Sequence, residues 1–301
     1  MAIDFVRTSD EHFENLPDWR YSPQYLTNLP GYDGLRMHYI DEGPKDAEVT
    51  FLCLHGQPSW AYLYRKMIPI FTRAGHRVIA PDLFGFGRSD KPTDDAQYTF
   101  YFHRKALLAA IEALDLKNVC LVCQDWGGVL GLTLPMEAPR RYSRLLVMNT
   151  FLPVGEKPAP GFEAWKTYNR ANPDMNIAAL MKRSTPSLTD AEANAYGAPF
   201  PSRDYKAGVR RFPELVMVEG GSVEGIDTAF AAREFWTDRW KGESLMAIGM
   251  QDPVIAPKTM YSLRKMISGC PEPIELKEAG HFVQEHGEQV AQHALAHFGL
   301  E

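Results

Sequence analysis

The chain has 301 residues, 45% of them hydrophobic and 23% charged, with a formal net charge of −6. That balance describes a globular protein able to bury a large core, and without a basic block it excludes nucleic acid and anionic membrane surfaces as expected partners. The N-terminal run Ala2-Ile3-Asp4-Phe5-Val6-Arg7 has no apolar secretory stretch and no segment reaches membrane-spanning length, so a cytoplasmic protein acting on a small neutral molecule is expected.

In chain order, residues 35–40 alternate as an edge strand does, and 49–54 read as a buried strand followed by a helix over 62–74. A strand at 77–80, an amphipathic helix at 100–114, a buried strand at 119–124, a helix at 127–137 and a strand at 145–148 continue a β/α rhythm. From about 152 to 224 that rhythm stops: proline and glycine are frequent and only short helical pieces, such as 176–182 and 190–196, stand out. It resumes with a strand at 244–249, a helix at 258–267, a strand at 273–276 and a helix at 288–298. The pattern predicts an α/β fold, a mostly parallel sheet covered by helices, with core residues 1–152 and 227–301 and an inserted helical cap at 153–226.

The chemistry sits where strands end. Val119-Cys120-Leu121-Val122-Cys123-Gln124-Asp125-Trp126-Gly127-Gly128 is an apolar run that stops on an acid and turns into a helix, which sets Asp125 on a sharp elbow backed by helix N–H groups. A serine there suits acyl transfer, whereas a carboxylate can attack a saturated carbon and leave an alkyl ester for water to cleave. The loop His55-Gly56-Gln57-Pro58 follows a buried strand and can aim the Gln57 backbone N–H, beside that of Trp126, at an oxyanion. Asp252, in Gly249-Met250-Gln251-Asp252-Pro253, ends the first strand after the cap, and His281, in Ala279-Gly280-His281-Phe282, follows the last strand. Taken singly, Asp125 could only cap its helix, Asp252 could only open a turn, and His281 could be a loop histidine like His55 or His76. The three together, in that order, form a nucleophile, an acid that orients a base, and the base.

Other features read as structural. Cys120 and Cys123 have C-x-x-C spacing, but a strand directs them to opposite faces, as small apolar core residues. The histidines show no ligand spacing, so neither metal nor cofactor is expected. The loop Asp82-Leu83-Phe84-Gly85-Phe86-Gly87-Arg88-Ser89-Asp90 lacks the Gly-Lys-Ser/Thr of a phosphate loop and reads as a turn beneath the site.

The order nucleophile, acid, histidine is that of the α/β-hydrolase fold, and His55 to Trp60, Asp82 to Pro92, Gln124 to Gly128, Ala247 to Asp252 and Cys270 to Pro273 with Ala279 to Glu285 together resemble a haloalkane dehalogenase. The resemblance implies that Asp125 displaces halide from a small halogenated alkane, that water activated by His281 and Asp252 cleaves the resulting ester, and that Gln57 and Trp126 hold the oxyanion. It also implies two indole donors for the departing halide, Trp126 and a tryptophan of the cap. Here the chain departs from the pattern, because Ser184 stands where the cap tryptophan is expected; Trp165 is the favoured replacement over Trp236 and Trp240, which fit packing where the cap rejoins the core. Phe84, Val129, Phe162, Leu180 and Phe282 are expected as apolar lining. Asn149 occupies the place where another subgroup keeps its acid, and as a neutral amide it cannot orient a histidine by charge. An epoxide hydrolase shares the triad and uses two cap tyrosines, for which Tyr168, Tyr196 and Tyr205 are available; a non-catalytic relative would usually lack a triad member. A monomer is expected.

Overall fold

A computed structural model describes residues 3–301. Its strands are β1 (Phe5–Val6), β2 (Gln24–Leu26), β3 (Met37–Glu42), β4 (Thr50–Leu54), β5 (Arg77–Pro81), β6 (Lys91–Pro92), β7 (Val119–Cys123), β8 (Tyr142–Met148), β9 (Glu243–Gly249) and β10 (Ile274–Leu276). Eight of them form one sheet in the order β10-β9-β8-β7-β4-β5-β3-β2, parallel from β10 to β5 and antiparallel where β3 and β2 are added. The central strands β4 and β7 are buried at every position, which is why both read as unbroken apolar runs rather than alternating ones.

Helices α1 (Ile68–Arg73), α2 (Phe100–Ala113) and α3 (Trp126–Gly131) belong to the first half of the core. Five helices, α4 (Pro160–Ala171), α5 (Ile177–Ser184), α6 (Asp190–Gly197), α7 (Ala207–Arg211) and α8 (Ile226–Glu234), lie between β8 and β9; α9 (Pro257–Met266) and α10 (Gly287–Phe298) complete the chain. No helix among the described residues is long and apolar enough to cross a membrane.

The differences from the sequence reading have local causes. The single helix expected over 62–74 is a 3-10 turn, Ala61–Tyr64, and a separate α1, because Pro69 cannot donate to the preceding turn and instead sits in the first turn of a new helix. The helix after the elbow ends at Gly131 rather than 137, since Pro135 disfavours helical backbone at the residue before it. Helix α4 was hidden by Pro160 and Gly161, which read as a loop signal. Pro160 is a helix-starting proline, and Gly161 is demanded by contact: a Cβ there would lie 1.6 Å from the Pro253 carbonyl. That close approach seats α4 against the loop that follows β9.

Candidate active site

Asp125 is the turning point between β7 and α3, with φ 51° and ψ −128°. A non-glycine residue rarely adopts such a backbone, and its cost of about 1–3 kcal/mol is met by surrounding contacts. Its own N–H donates to the Asn149 carbonyl at 2.9 Å and its carbonyl accepts from the Thr150 hydroxyl at 2.7 Å. The glycine pair is needed for packing: a Cβ on Gly127 would meet the Leu54 carbonyl at 2.0 Å, and one on Gly128 would meet Thr150 Oγ1 at 2.2 Å. Helix α3 can therefore lie directly on the ends of β4 and β8.

The residues singled out from the sequence converge at the carboxyl ends of the parallel strands, the usual ligand position in such sheets. The Gln57 N–H donates to Asp125 Oδ1 at 2.7 Å, and the Trp126 N–H, at the first position of α3, has no intrahelical acceptor. His281 Nε2 lies 3.5 Å from Asp125 Oδ2, and Nδ1 lies 2.7 Å from Asp252 Oδ2. Asp252 is buried, its Oδ1 accepting the N–H groups of Val254 and Ile255 at 2.8 and 3.0 Å. Burial alone would raise its carboxyl, but the facing His281 and these donors hold it below the usual range. Burial likewise pushes the His281 imidazole down, while the charges and hydrogen bonds of Asp252 and Asp125 outweigh that and lift it to about 10.

Two amides complete the arrangement, and neither was assigned a role from the sequence. Asn149 Nδ2 donates to Asp252 Oδ2 at 2.8 Å, and its Oδ1 accepts from the Gly249 N–H at 2.8 Å, so it fixes the acid it cannot replace. Gln124 Nε2 lies 2.9 Å from His281 Nε2.

A small cavity of about 20 Å³ opens on Asp125, with Trp126, Val129, Phe162 and Trp165 in its wall. Phe151, Phe162, Val254 and Ile255 also face a larger chamber of about 540 Å³ that runs toward Lys157 and Lys258. The other expected lining residues lie elsewhere. Phe84 is buried against Tyr32 and Phe102 on the far side of its loop, because the turn at Gly85 sends Phe86, not Phe84, toward His55 and Phe212. Leu180 is a core residue of α5, and Phe282 packs beside His281 and Tyr196; neither faces the cavity. Ser184, at the end of α5, is exposed and also lies outside it.

Of the six tryptophans, Trp19 packs against Tyr21, Trp60 and Tyr62 away from the cavity, and the other five divide by what their indole N–H meets. Trp60, Trp236 and Trp240 donate their indole N–H to Ala195 O, Leu132 O and Ser244 Oγ, at 3.1, 2.7 and 2.9 Å. Among the described residues, the indoles of Trp126 and Trp165 donate to no protein acceptor, and both line the cavity.

Elsewhere the structure explains what looked like motifs. Asp82 pairs with His38 at 2.6 Å and accepts the Ala61 and Arg88 N–H groups, each at 2.7 Å, so the glycine-containing loop is anchored internally. His55 accepts from the Leu83 N–H and contacts the Gly56 carbonyl as a satisfied core histidine. Cys120 and Cys123 are buried free thiols, pushed well up by burial.

A strand-end carboxylate on an elbow, an acid-oriented histidine and a backbone oxyanion donor define an α/β-hydrolase, and the family described by the alpha/beta hydrolase fold matches residues 49–288. Haloalkane dehalogenases from Psychrobacter cryohalolentis and Mycolicibacterium paratuberculosis are 42% and 38% identical to the chain, over 96% and 97% of both partners. The haloalkane dehalogenase DpaA of Paraglaciecola agarilytica superposes with a TM-score of 0.95 at 52% identity, covering 98% of this chain and 99% of that one. The chain belongs to the haloalkane dehalogenases: it is a hydrolase acting on carbon–halogen bonds. DbeA of Bradyrhizobium elkani, at 24% identity and a TM-score of 0.75, shares the fold. The DpaA structure is described as tetrameric, which runs against the monomer expected from the sequence.

Proposed function

We propose that Asp125 attacks a halogen-bearing carbon of a short alkane in line, releasing halide and forming an alkyl ester, and that His281 then takes a proton from the water that attacks the ester carbonyl. The observation that carries this reading is the Asp125 carboxyl held between a backbone donor and a histidine, facing a cavity walled by Trp126, Val129, Phe162 and Trp165. Asp125 Oδ1 is bound by Gln57, which leaves Oδ2 as the attacking oxygen. A halide forming in apolar surroundings needs donors, and the two uncommitted indoles at Trp126 and Trp165 supply them. Once the ester forms, the Asp125 charge is gone and so is one of the two charges that favoured the imidazolium, so alkylation itself readies the base. Water adds to the carbonyl, its proton passes to His281 Nε2, and the oxyanion is held by the Gln57 and Trp126 N–H groups. Collapse expels the alkoxide, which takes the proton back from His281 to leave as the alcohol, and the Asp125 carboxylic acid so formed loses its remaining water-derived proton to regenerate the carboxylate; one proton and one halide leave per turnover.

The helical insertion 153–226 acts as the cap, with α4 carrying Phe162 and Trp165 over the nucleophile. The apolar wall that Val129, Phe151, Phe162 and Ile255 form around Asp125 supports a small apolar haloalkane as substrate. The tetrameric description of DpaA supports self-association of this chain as well. The reading is tested by giving the purified protein 1,2-dibromoethane and, separately, styrene oxide. Bromide and acid in equal amounts from the first, with no diol from the second, is the expected result; diol formation at a comparable rate would favour epoxide opening.

A further inference from the structure

The side chain of Gln124, the residue before the nucleophile, is fully buried. Its Nε2 donates to the His281 carbonyl at 3.1 Å and lies 2.9 Å from His281 Nε2, while its Oε1 is buried with no partner. A carbonyl only accepts, so the contact with His281 O fixes which end of the amide faces the ring: the second amide hydrogen points at Nε2. When the ring is neutral, with Nδ1 committed to Asp252 Oδ2 as donor, Nε2 meets Gln124 as an acceptor, and this is the tautomer that can take a proton from water.

We propose that Gln124 is a positioning residue for the base: its amide N–H meets the Nε2 lone pair, fixing the His281 ring with that nitrogen 3.5 Å from Asp125 Oδ2, and favours the proton-accepting form of the ring until water takes the lone pair over. The inference deepens the hydrolytic role given to His281 and rests on it. The charged groups facing the ring are Asp252, from the loop after β9, and Asp125, from the elbow; both favour the imidazolium, and Gln124 opposes them, because an imidazolium would set N–H against N–H. After alkylation only Asp252 still pulls toward the charged form. The amide then has the larger say, and the incoming water takes over the lone pair while Gln124 keeps its bond to the His281 carbonyl.

The test compares Gln124→Met, which keeps the length and deletes the donor, with Gln124→Glu, which keeps the shape and replaces the donor by an acceptor. Single-turnover bromide release reports alkylation and the pH profile of kcat reports the base. In Gln124→Met the bromide burst persists, turnover near neutral pH falls about tenfold, and the acid limb of the profile moves up by about one pH unit, the scale of one lost neutral hydrogen bond. In Gln124→Glu the limb moves further the same way. A residue that only packed the core would lower the folded fraction without moving the limb. An unmoved acid limb in whichever variant folds would overturn the inference while leaving His281 as base; sustained turnover without His281 would overturn both.

Discussion

His281→Phe releases one equivalent of bromide per protein from 1,2-dibromoethane and then stops, with a stable mass adduct on the peptide that bears Asp125. Alkylation needs no proton transfer, because the carboxylate attacks as it stands and the halide leaves as an anion. Hydrolysis does need a base, and removing one typically costs about 10² to 10⁴ in rate. Phenylalanine keeps the ring volume in a buried position. The Asp252 carboxylate left behind retains three donors, the Val254 and Ile255 N–H groups and Asn149 Nδ2, so it is not stranded as an unpaired charge. The burst is its own control for folding, since a misassembled elbow would release nothing. Mass spectrometry of the quenched protein checks the prediction; continued turnover, or an adduct on another residue, would contradict it.

Trp165→Phe weakens bromide binding and slows bromide release in the first turnover by roughly ten- to a hundredfold, the scale of one hydrogen bond to a charged group. The donor matters more in the transition state than in the ground state, because the halogen gains charge as the carbon–halogen bond breaks, so the loss appears in the alkylation rate as well as in affinity. Quenching of indole fluorescence by bromide, titrated in the parent and the variant, measures the binding. Trp236→Phe is the comparison: its N–H already serves the Leu132 carbonyl at 2.7 Å, so its loss lowers stability and leaves halide affinity unchanged. Full bromide binding in Trp165→Phe would move the donor role elsewhere in the cap.

Much of the site could be read without coordinates because its parts are announced locally. Asp125, Asp252 and His281 each follow a strand and have a glycine or proline within two residues, and such signals survive in one dimension. The lining could not be read in the same way. Phe84 and Phe86 are two residues apart in a glycine loop, and only the positive φ of Gly85 decides which of them turns toward His55. Leu180 and Phe282 lie on elements near the site, but their side chains pack against core neighbours, and facing is a property of the packed helix rather than of its pattern. The amides were the deepest omission. Asn149 and Gln124 carry no charge and belong to no spacing rule; their roles exist only because β7, β8 and β9 lie side by side and bring them to Asp252 and His281.

The uncommon backbone at Asp125 serves the carboxylate's placement. The elbow places Asp125 at φ 51° and brings its carboxylate close against the loop after β4, where a Cβ on Gly56 would lie 2.1 Å from Asp125 Oδ1. The carboxylate is thus held against the Gln57 N–H before substrate arrives, so little reorganisation remains for the reaction.

The central claim is that water attacks the carbonyl carbon of an Asp125 ester and never the substrate carbon. Repeated turnover of 1,2-dibromoethane in water enriched in oxygen-18 tests it directly. Each cycle then leaves solvent oxygen in the Asp125 carboxyl, and the first alcohol molecules carry ordinary oxygen taken from the protein. A peptide containing Asp125 that stays unlabelled after many turnovers, with oxygen-18 in the alcohol from the first cycle onward, would contradict the account.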